Sequence, residues 1–346
     1  MTMPEVTVRG AGIFGLSVAW ACARRGARVT VADPNGVGAG ASGGLVGALA
    51  PHAPEQWSEA KAFQLESLLM AGDWWAEVQA TGGVDPGYAR AGRLQPVADE
   101  AALARARERI AGAEAHWQGV ATWEVIRADA AGPWAPVSPT GWLVRDTLSA
   151  RLHPRRACAS LAAALRARGA CIGADAQEAG LTVWATGAAG LAEADLGRGV
   201  KGQAALLHFE AHEHPQVYAG GVHIVPHMDG TVAVGSTTER DWNDPDGTDA
   251  QLEDVLALAV QAMPVLSGAR VAERWAGLRP RARSRAPVLG RHPARPGAFI
   301  ANGGFKIGFG MAPLAAEVMA DLLLEGRDRI PESFRPERSL TAALRP

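Results

Sequence analysis

The sequence predicts an α/β chain of two domains: a parallel sheet covered by helices and assembled from separated segments, and an antiparallel sheet that interrupts it. Three observations predict this. Residues 5–33 run strand, helix, strand within about thirty residues, the length a βαβ crossover needs. Buried-strand and apolar-helix signals return near 153–187 and again at 298–324. Between these segments lie short β-rich runs punctuated by turn residues, the pattern of antiparallel pairing.

Taken in order, residues 5–9 and 28–33 read as buried strands, and Leu16, Ala19, Trp20 and Ala23 recur between them at helical spacing. A Gly-rich segment, GVGAGASGGLVGALAP, follows at 36–51. Residues 59–80 read as helix, 92–98 as strand and 99–115 as an Ala/Arg/Glu-rich helix. Residues 116–150, rich in Trp and Pro, read as irregular. A helix begins just after Pro154 and runs through 153–170, and LTVWATG at 181–187 is a buried strand ending in glycine. Residues 203–209 and 217–226 are strand-like, and MDG at 228–230 is a turn before TVAVGST. Residues 248–263 read as helix, 270–276 and 298–302 as strands, and Met311 to Leu324 as a last helix stopped by Gly326. The expected division is a first domain of residues 1–80, 151–200 and 272–346, and a second of 81–150 and 201–271. Neither half repeats the other, and no low-complexity linker separates them.

Composition narrows the function classes. The chain has 346 residues, 48% of them hydrophobic, enough for a large core. A net charge of -2 demands no nucleic-acid or acidic-membrane partner. The apolar run at 11–22 is broken by Arg24 and Arg25, too early for a membrane span, and lacks the basic leader of a signal peptide. Cys22, Cys158 and Cys171 match neither a metal site nor a disulfide framework, so a cytoplasmic, reducing compartment is expected. His208, His212 and His214 make no metal site either, since no acidic or cysteine ligand is expected to complete them. Lysine is scarce: Lys61, Lys201 and Lys306 stand alone among the many arginines.

The chemistry begins at VTVRGAGIFG. Gly10, Gly12 and Gly15 follow a strand and open a helix, and Asp33 stands at the end of the next strand, eighteen residues after Gly15. In that pattern Gly10 allows the tight turn, Gly12 lets backbone approach a pyrophosphate, and Gly15 lets helix and strand pack closely. The helix N-terminus beside Ile13 and Phe14 offers unpaired N–H groups to phosphate, and Asp33 offers acceptors to ribose hydroxyls. These features alone do not separate FAD from NAD.

A resemblance does. VRGAGIFGLSVAWACARRGARVTVADP resembles the first βαβ unit of the D-amino-acid oxidase superfamily of FAD-dependent flavoproteins. GASGGLVGALAPHA at 40–53 is similar to the small-residue loop along pyrophosphate and flavin in its glycine oxidase-like branch. The likeness continues through LHPRRACASLAAALRARGA, LTVWATGAAG, VKGQAALL, HIVPHMDGTVAVGSTTE, ERWAGLRPRARSRAPVLG, NGGFKIGFGMAPLAAEVMADLLLEG and FRPERS, nearly the whole chain. It implies a Rossmann-type FAD-binding domain interrupted by an antiparallel-sheet substrate domain, with FAD held non-covalently. The implied cofactor contacts are Gly10, Gly12, Ile13, Phe14, Gly15, Asp33, Pro34, Ala41, Ser42, Gly47, Ala48, Leu49, Ala185, Gly187, Gly303, Gly304, Phe305, Lys306, Ile307 and Gly308.

For the reacting end, the resemblance implies that Arg279 in GLRP clamps a substrate carboxylate, a task suited to a guanidinium fork. Lys306 stands where relatives often carry arginine, and a cation there can stabilise developing negative charge. His223 replaces the tyrosine many relatives have on the hairpin facing the substrate. It stands as a substrate contact, a mild base toward the amine, or a packing residue. His52 follows the Gly-rich loop and is a further candidate to line the site. Arg279, Arg281, Arg283 and Arg285 alternate as one face of a strand would. The 171–181 segment is much shorter than the family's meander, which leaves the adenine pocket to be completed differently.

The implied activity is oxidation of a small amino acid or amine by hydride transfer to flavin N5. The imine then hydrolyses, and O2 or a quinone accepts the electrons. Two alternatives stand beside it: a non-catalytic flavin-fold binding protein, and, on a more distant similarity, a flavoenzyme acting on a carboxymethylamine group of modified transfer RNA. The near-neutral charge counts against the latter.

Overall fold

A computed structural model describes residues 3–342. Its first sheet has six strands in the order Val288–Arg291, Phe299–Asn302, Leu181–Trp184, Glu5–Arg9, Arg28–Ala32, Cys171–Gly173. Neighbours are parallel except Val288–Arg291, which runs antiparallel to Phe299–Asn302. The helices Ile13–Arg24, Pro154–Ala167 and Gly308–Ala320 pack on this sheet, and Glu59–Gly82 packs on the last two of them. The opening helix is buried from Ile13 through Ala23. That explains why its sequence is apolar all round rather than on one stripe.

The second sheet has eight strands in the order Val271–Ala282, Gly197–His208, Thr231–Gly235, Val222–Pro226, Gln216–Ala219, Arg93–Pro96, Trp142–Asp146, Trp123–Arg127. Pairing is antiparallel except between Gln216–Ala219 and Arg93–Pro96. Its period-two pattern sorts the side chains to two destinations. Ala205, Leu207, Ile224, Val232 and Val234 pack with Leu252, Val255 and Ala259 of the helix Ala250–Ala262. The intervening Ala204, Leu206, Val225 and Ala233 pack instead on Leu45, Val46, Ala48 and Trp275. One face is therefore core, and the other covers the small-residue loop.

Several elements differ from the sequence reading. Residues 116–150 are not irregular: they hold the strands Trp123–Arg127 and Trp142–Asp146, joined by a 3-10 segment at Ala128–Trp134. The buried Asp146, which accepts from Arg93 Nε at 2.9 Å, puts a charge where a core strand should show an apolar residue. That hides the alternation. The run at 217–226 is a hairpin turned at Gly220 and Gly221. The strands at 203–209 and 270–276 extend to Gly197–His208 and Val271–Ala282, because they pair with each other along their lengths. The last helix starts at Gly308, passes through a π turn at Asp321–Glu325 and stops at Gly326, which is left-handed at φ 67°.

Candidate active site

Three loops converge on the ends of the parallel strands. The first is the turn after Glu5–Arg9. A Cβ on Gly15 would lie 1.9 Å from the Gly10 carbonyl oxygen, so helix and turn touch backbone to backbone. Gly10 sits at φ 108°, and a Cβ there would meet the Ala185 carbonyl oxygen at 2.4 Å. Side chains are excluded on both counts. The Ala11 amide donates to Asp33 Oδ2 at 2.9 Å, and the Asn35 amide to Asp33 Oδ1 at 3.0 Å. Pro34 follows in the same turn. The first bond back along the helix runs from the Leu16 amide to the Gly12 carbonyl; the Ile13 amide is taken by Ser42 Oγ, which leaves the Phe14 and Gly15 amides at the N-terminus for an anion.

The second loop is residues 41–49. The Ile13 amide donates to Ser42 Oγ at 2.9 Å, which ties the 3-10 turn Ala41–Gly43 to the helix N-terminus. Leu152 donates to the Gly47 carbonyl, and Ala48–Leu49 pairs with Ala150–Arg151. From the other side, His227 Nε2 lies 2.9 Å from the Leu45 carbonyl, and burial pushes that imidazole down to about 4. The loop is thus clasped between the two sheets.

The third loop is residues 303–308. Asn302 anchors it, donating from Nδ2 to the Gly187 carbonyl at 2.9 Å and accepting the Gly303 amide at 2.8 Å. The Ala185 amide donates to Arg9 at 2.7 Å on the neighbouring strand. A Cβ on Gly304 would sit 2.8 Å from Gly308 Cα and 3.2 Å from the Phe14 ring, and Gly308 lies against Ile13. Phe305 is held at φ 43°, with its amide on the Pro280 carbonyl at 3.1 Å, while the Ile307 amide closes on Gly304 at 3.0 Å. Turn, small-residue loop and capping loop therefore meet through Ile13, Phe14, Ser42 and Gly304. These are glycine-lined cradles and an N-terminal anion site, and the residues present fit FAD.

At the end beside Asp33 a cavity of about 350 Å³ is lined by Ala11, Asp33, Pro34, Asn35, Arg166, Ile172 and Gly173, among others. The short 171–181 segment forms its rim. Cys171–Gly173 adds an edge strand, and Arg9 fastens the return by bonds to Asp175 Oδ1 at 2.6 Å and the Ala176 carbonyl at 2.7 Å. Thr7 adds bonds to Ala179 at 3.0 Å in both directions.

The charged end of the site lies on the second sheet. Arg279 is buried, and its guanidinium runs over Gly202, where a Cβ would come within 2.6 Å of Cζ. Nη1 donates to Ser236 Oγ at 2.7 Å, and Nη2 to the carbonyls of Lys201 at 3.1 Å and Thr237 at 2.6 Å. Nε has no partner among the described residues. Burial pushes the group down to about 10, against the opposing pull of Glu239, so it stays a cation at neutral pH. Behind it Glu239 faces Lys201 Nζ at 3.6 Å and accepts Gln203 Nε2 at 3.0 Å.

Lys306 is exposed, yet the protein around its ammonium, then Arg279 and Arg281, hold it below the usual lysine range. His223 lies 4.6 Å from the Tyr218 ring, its Nδ1 buried and without a partner among the described residues. Burial, then Arg93 and Lys306, push it down to about 3. Arg279, Lys306 and His223 thus share one electrostatic neighbourhood. His52 does not join them: it is exposed, and both its amide, at 2.8 Å, and Nδ1, at 2.6 Å, reach Gln64 Oε1 on the helix Glu59–Gly82.

Two readings of single residues change. His212 does have acidic neighbours: its ring nitrogens lie against Glu210 and Glu213, at 2.7 Å for the latter, and Glu210 raises its pKa. Two of the basic run leave the face: Arg283 pairs with Asp195 beyond the strand end, and Arg285 occupies a turn at φ 64°. Sequence reasoning missed Ser236 and Thr237, which hold Arg279, and Glu239 behind them. The scarcity of lysine, which leaves Lys201 conspicuous, is the one signal that points toward them.

The family model described as FAD dependent oxidoreductase matches residues 5–322. A thiamine biosynthesis oxidoreductase of Rhizobium etli, ThiO by name, is 32% identical over 340 residues, covering 93% of this chain and 97% of its own. A glycine oxidase of Bacillus licheniformis is 27% identical over 374 residues, covering 96% of this chain and 97% of its own. Among solved structures, iminodiacetate oxidase from Chelativorans sp. BNC1 shares the fold at a TM-score of 0.84 and 24% identity, over 96% of this chain and 98% of that one.

Proposed function

We propose, for a chain that belongs to the FAD-dependent oxidoreductase family, that it oxidises the carbon–nitrogen bond of a small amino acid or amine. It is an enzyme of the glycine oxidase and ThiO type. The observation that carries the finer reading is the meeting of a glycine-lined cradle with a buried arginine on the facing sheet.

When bound, FAD supplies a two-electron acceptor for hydride from the substrate's α-carbon. The protein's task is orientation. The helix N-terminus at Phe14 and Gly15 and the carboxylate of Asp33 would hold the dinucleotide, and the 41–49 and 303–308 loops would exclude water around its far end. Arg279 offers a substrate carboxylate its fixed positive charge and the remaining Nη1 hydrogen, since Nη2 is committed to the Lys201 and Thr237 carbonyls and Nε is buried. A neutral His223 leaves the amine's proton balance undisturbed. The imine product adds water and separates into an oxo-acid and ammonia or an amine, and two electrons pass to oxygen or a quinone. No helix among the described residues is long and apolar enough to cross a membrane. Three unpaired cysteines fit a reducing, cytoplasmic setting.

The test is an anaerobic screen of amino acids and amines against the purified holoenzyme. Loss of flavin absorbance near its visible maximum with at least one small amine is the expected result. A flavin that no amine or amino acid reduces overturns the reading and favours a binding protein with a flavin fold.

A further inference from the structure

The sheet face that carries Arg279 carries more positive charge than one carboxylate can answer. Arg281 follows Arg279 by two residues on the same strand face, with no register break between them. Their Cα atoms are therefore roughly 7 Å apart. Across the ladder, Arg198 stands directly opposite Arg281, and like charges in that position are unfavourable. Phe305 gathers three cations around one ring: Arg279 Cζ at 5.4 Å, Arg281 Cζ at 5.6 Å and Lys306 Nζ at 5.9 Å.

Among the described residues no acid forms a salt bridge to this cluster. Glu239 lies behind the sheet and is engaged with Lys201 and Gln203. Among the described residues, neither Arg281 nor Lys306 has a carboxylate within salt-bridge distance, and neither do Arg198, Arg240 and Arg285. Burial, then repulsion from Arg285, Arg240 and Arg198, holds the Arg281 guanidinium below its usual range. On a chain whose net charge is only -2, this is a local arrangement and not a general basicity.

We infer that the substrate carries two acid groups, one taken by Arg279 and the second by Arg281 and Lys306. This rests on the amine-oxidation reading above and names its substrate class: an amino acid or N-substituted amino acid with a second carboxylate, or an equivalent oxyanion, within roughly 7 Å of the first. Arg281 is then a specificity-determining residue. A monoanionic amino acid leaves two cations around Phe305 unanswered, whereas a dianion neutralises them and is drawn toward the site by the same field.

The experiment compares dianion and monoanion pairs in anaerobic flavin reduction at low ionic strength: iminodiacetate against N-methylglycine, and the near-isosteric aspartate against asparagine in both enantiomers. The expected result is a kcat/KM about tenfold or more higher for the dianion of at least one pair. That preference shrinks in added salt, collapses in Arg281→Gln and largely survives in Arg281→Lys. Binding of succinate against propionate, read from the perturbed flavin spectrum, gives a second measurement that needs no turnover. Equal rates within both pairs, with no effect of Arg281→Gln on the ratio, overturn the inference and leave amine oxidation standing. Tight, Arg281-dependent succinate binding with no amine reducing the flavin upholds the dianion site and overturns the oxidation. Failure of both measurements removes both.

Discussion

Gly15 has no room for a methyl group, because its Cβ would sit 1.9 Å from the Gly10 oxygen. Arg279, on the facing sheet, fills space that Gly202 leaves empty and is held there by Ser236, Lys201 and Thr237. The first region works by absent atoms and exposed backbone dipoles, within one short stretch of chain. The second works by a buried charge whose supports come from the strand Gly197–His208 and from the loop after Thr231–Gly235, both distant from it in sequence. A backbone cradle tolerates no added bulk but carries no net charge. The arginine face tolerates changes of shape only if its charge and hydrogen bonds are preserved.

The sharpest way to break this contrast is Gly15→Val. The added carbons collide with backbone that cannot move without separating helix from strand, a cost of several kcal/mol. FAD affinity is expected to fall by a hundredfold or more, read by fluorescence titration of the apoprotein. A variant that purifies fully yellow would show that the turn can yield.

Arg279→Ala comes next. It removes a desolvated cation and leaves Ser236 Oγ and the Thr237 carbonyl without that donor, a loss of about 2–5 kcal/mol when the lost partner is a buried charged group. Substrate kcat/KM should fall by at least about thirtyfold, while the FAD dissociation constant stays within about threefold. Equal losses in both would make Arg279 a structural residue and erase the difference between the two regions.

Asp321 supplies a control remote from both. It is buried and accepts from Arg25 at 2.8 Å, Arg327 at 2.7 Å and Arg329 at 2.7 Å. Burial alone would raise its pKa, but bonds from Arg25, Arg329 and Arg327 outweigh it and pull the group down to about 2. Because the folded value is depressed, the stabilisation is present above the unfolded pKa near 4 and is lost as pH falls toward 2, about 2 kcal/mol in all. Asp321→Asn should lower the unfolding free energy by about that much at pH 7 and by progressively less below pH 4 in denaturant titrations. Neither FAD affinity nor flavin reduction should follow it.

The smallest effect is expected at His223. With its pKa pushed down to about 3, it remains neutral through pH 5–9 in the folded protein. The unfolded chain takes up that proton near pH 6.5, so this site withdraws stability as pH falls from 6.5 toward 3. The pH profile of kcat/KM should superimpose for wild type and His223→Asn between pH 5 and 7. An acidic limb present in wild type and absent in the variant would make His223 a working base.

The sequence was legible where function and structure sit in one short segment. Gly10, Gly15 and Asp33 stand within twenty-four residues, and the constraints on them are local: a turn, a helix start and a strand end. The strands at 123–127 and 142–146 were not legible, because the Asp146–Arg93 pair that fixes them is formed only when distant strands meet. The same holds for Arg281. Its alternation with Arg279 could be read from the strand, but not that Arg283 would leave for Asp195, nor that both arginines would meet Phe305 and Lys306.

By itself, then, the sequence determined the parallel-sheet core and the dinucleotide turn, because those rest on spacing, apolar periodicity and backbone sterics along contiguous chain; the kinship with FAD-dependent oxidoreductases rested on the resemblance of whole segments to that family. The tertiary structure decided which charges are buried, which are paired and which face one another. Coulomb energy and desolvation depend on distances between strands far apart in sequence, and those distances exist only once both sheets have closed on the 41–49 loop.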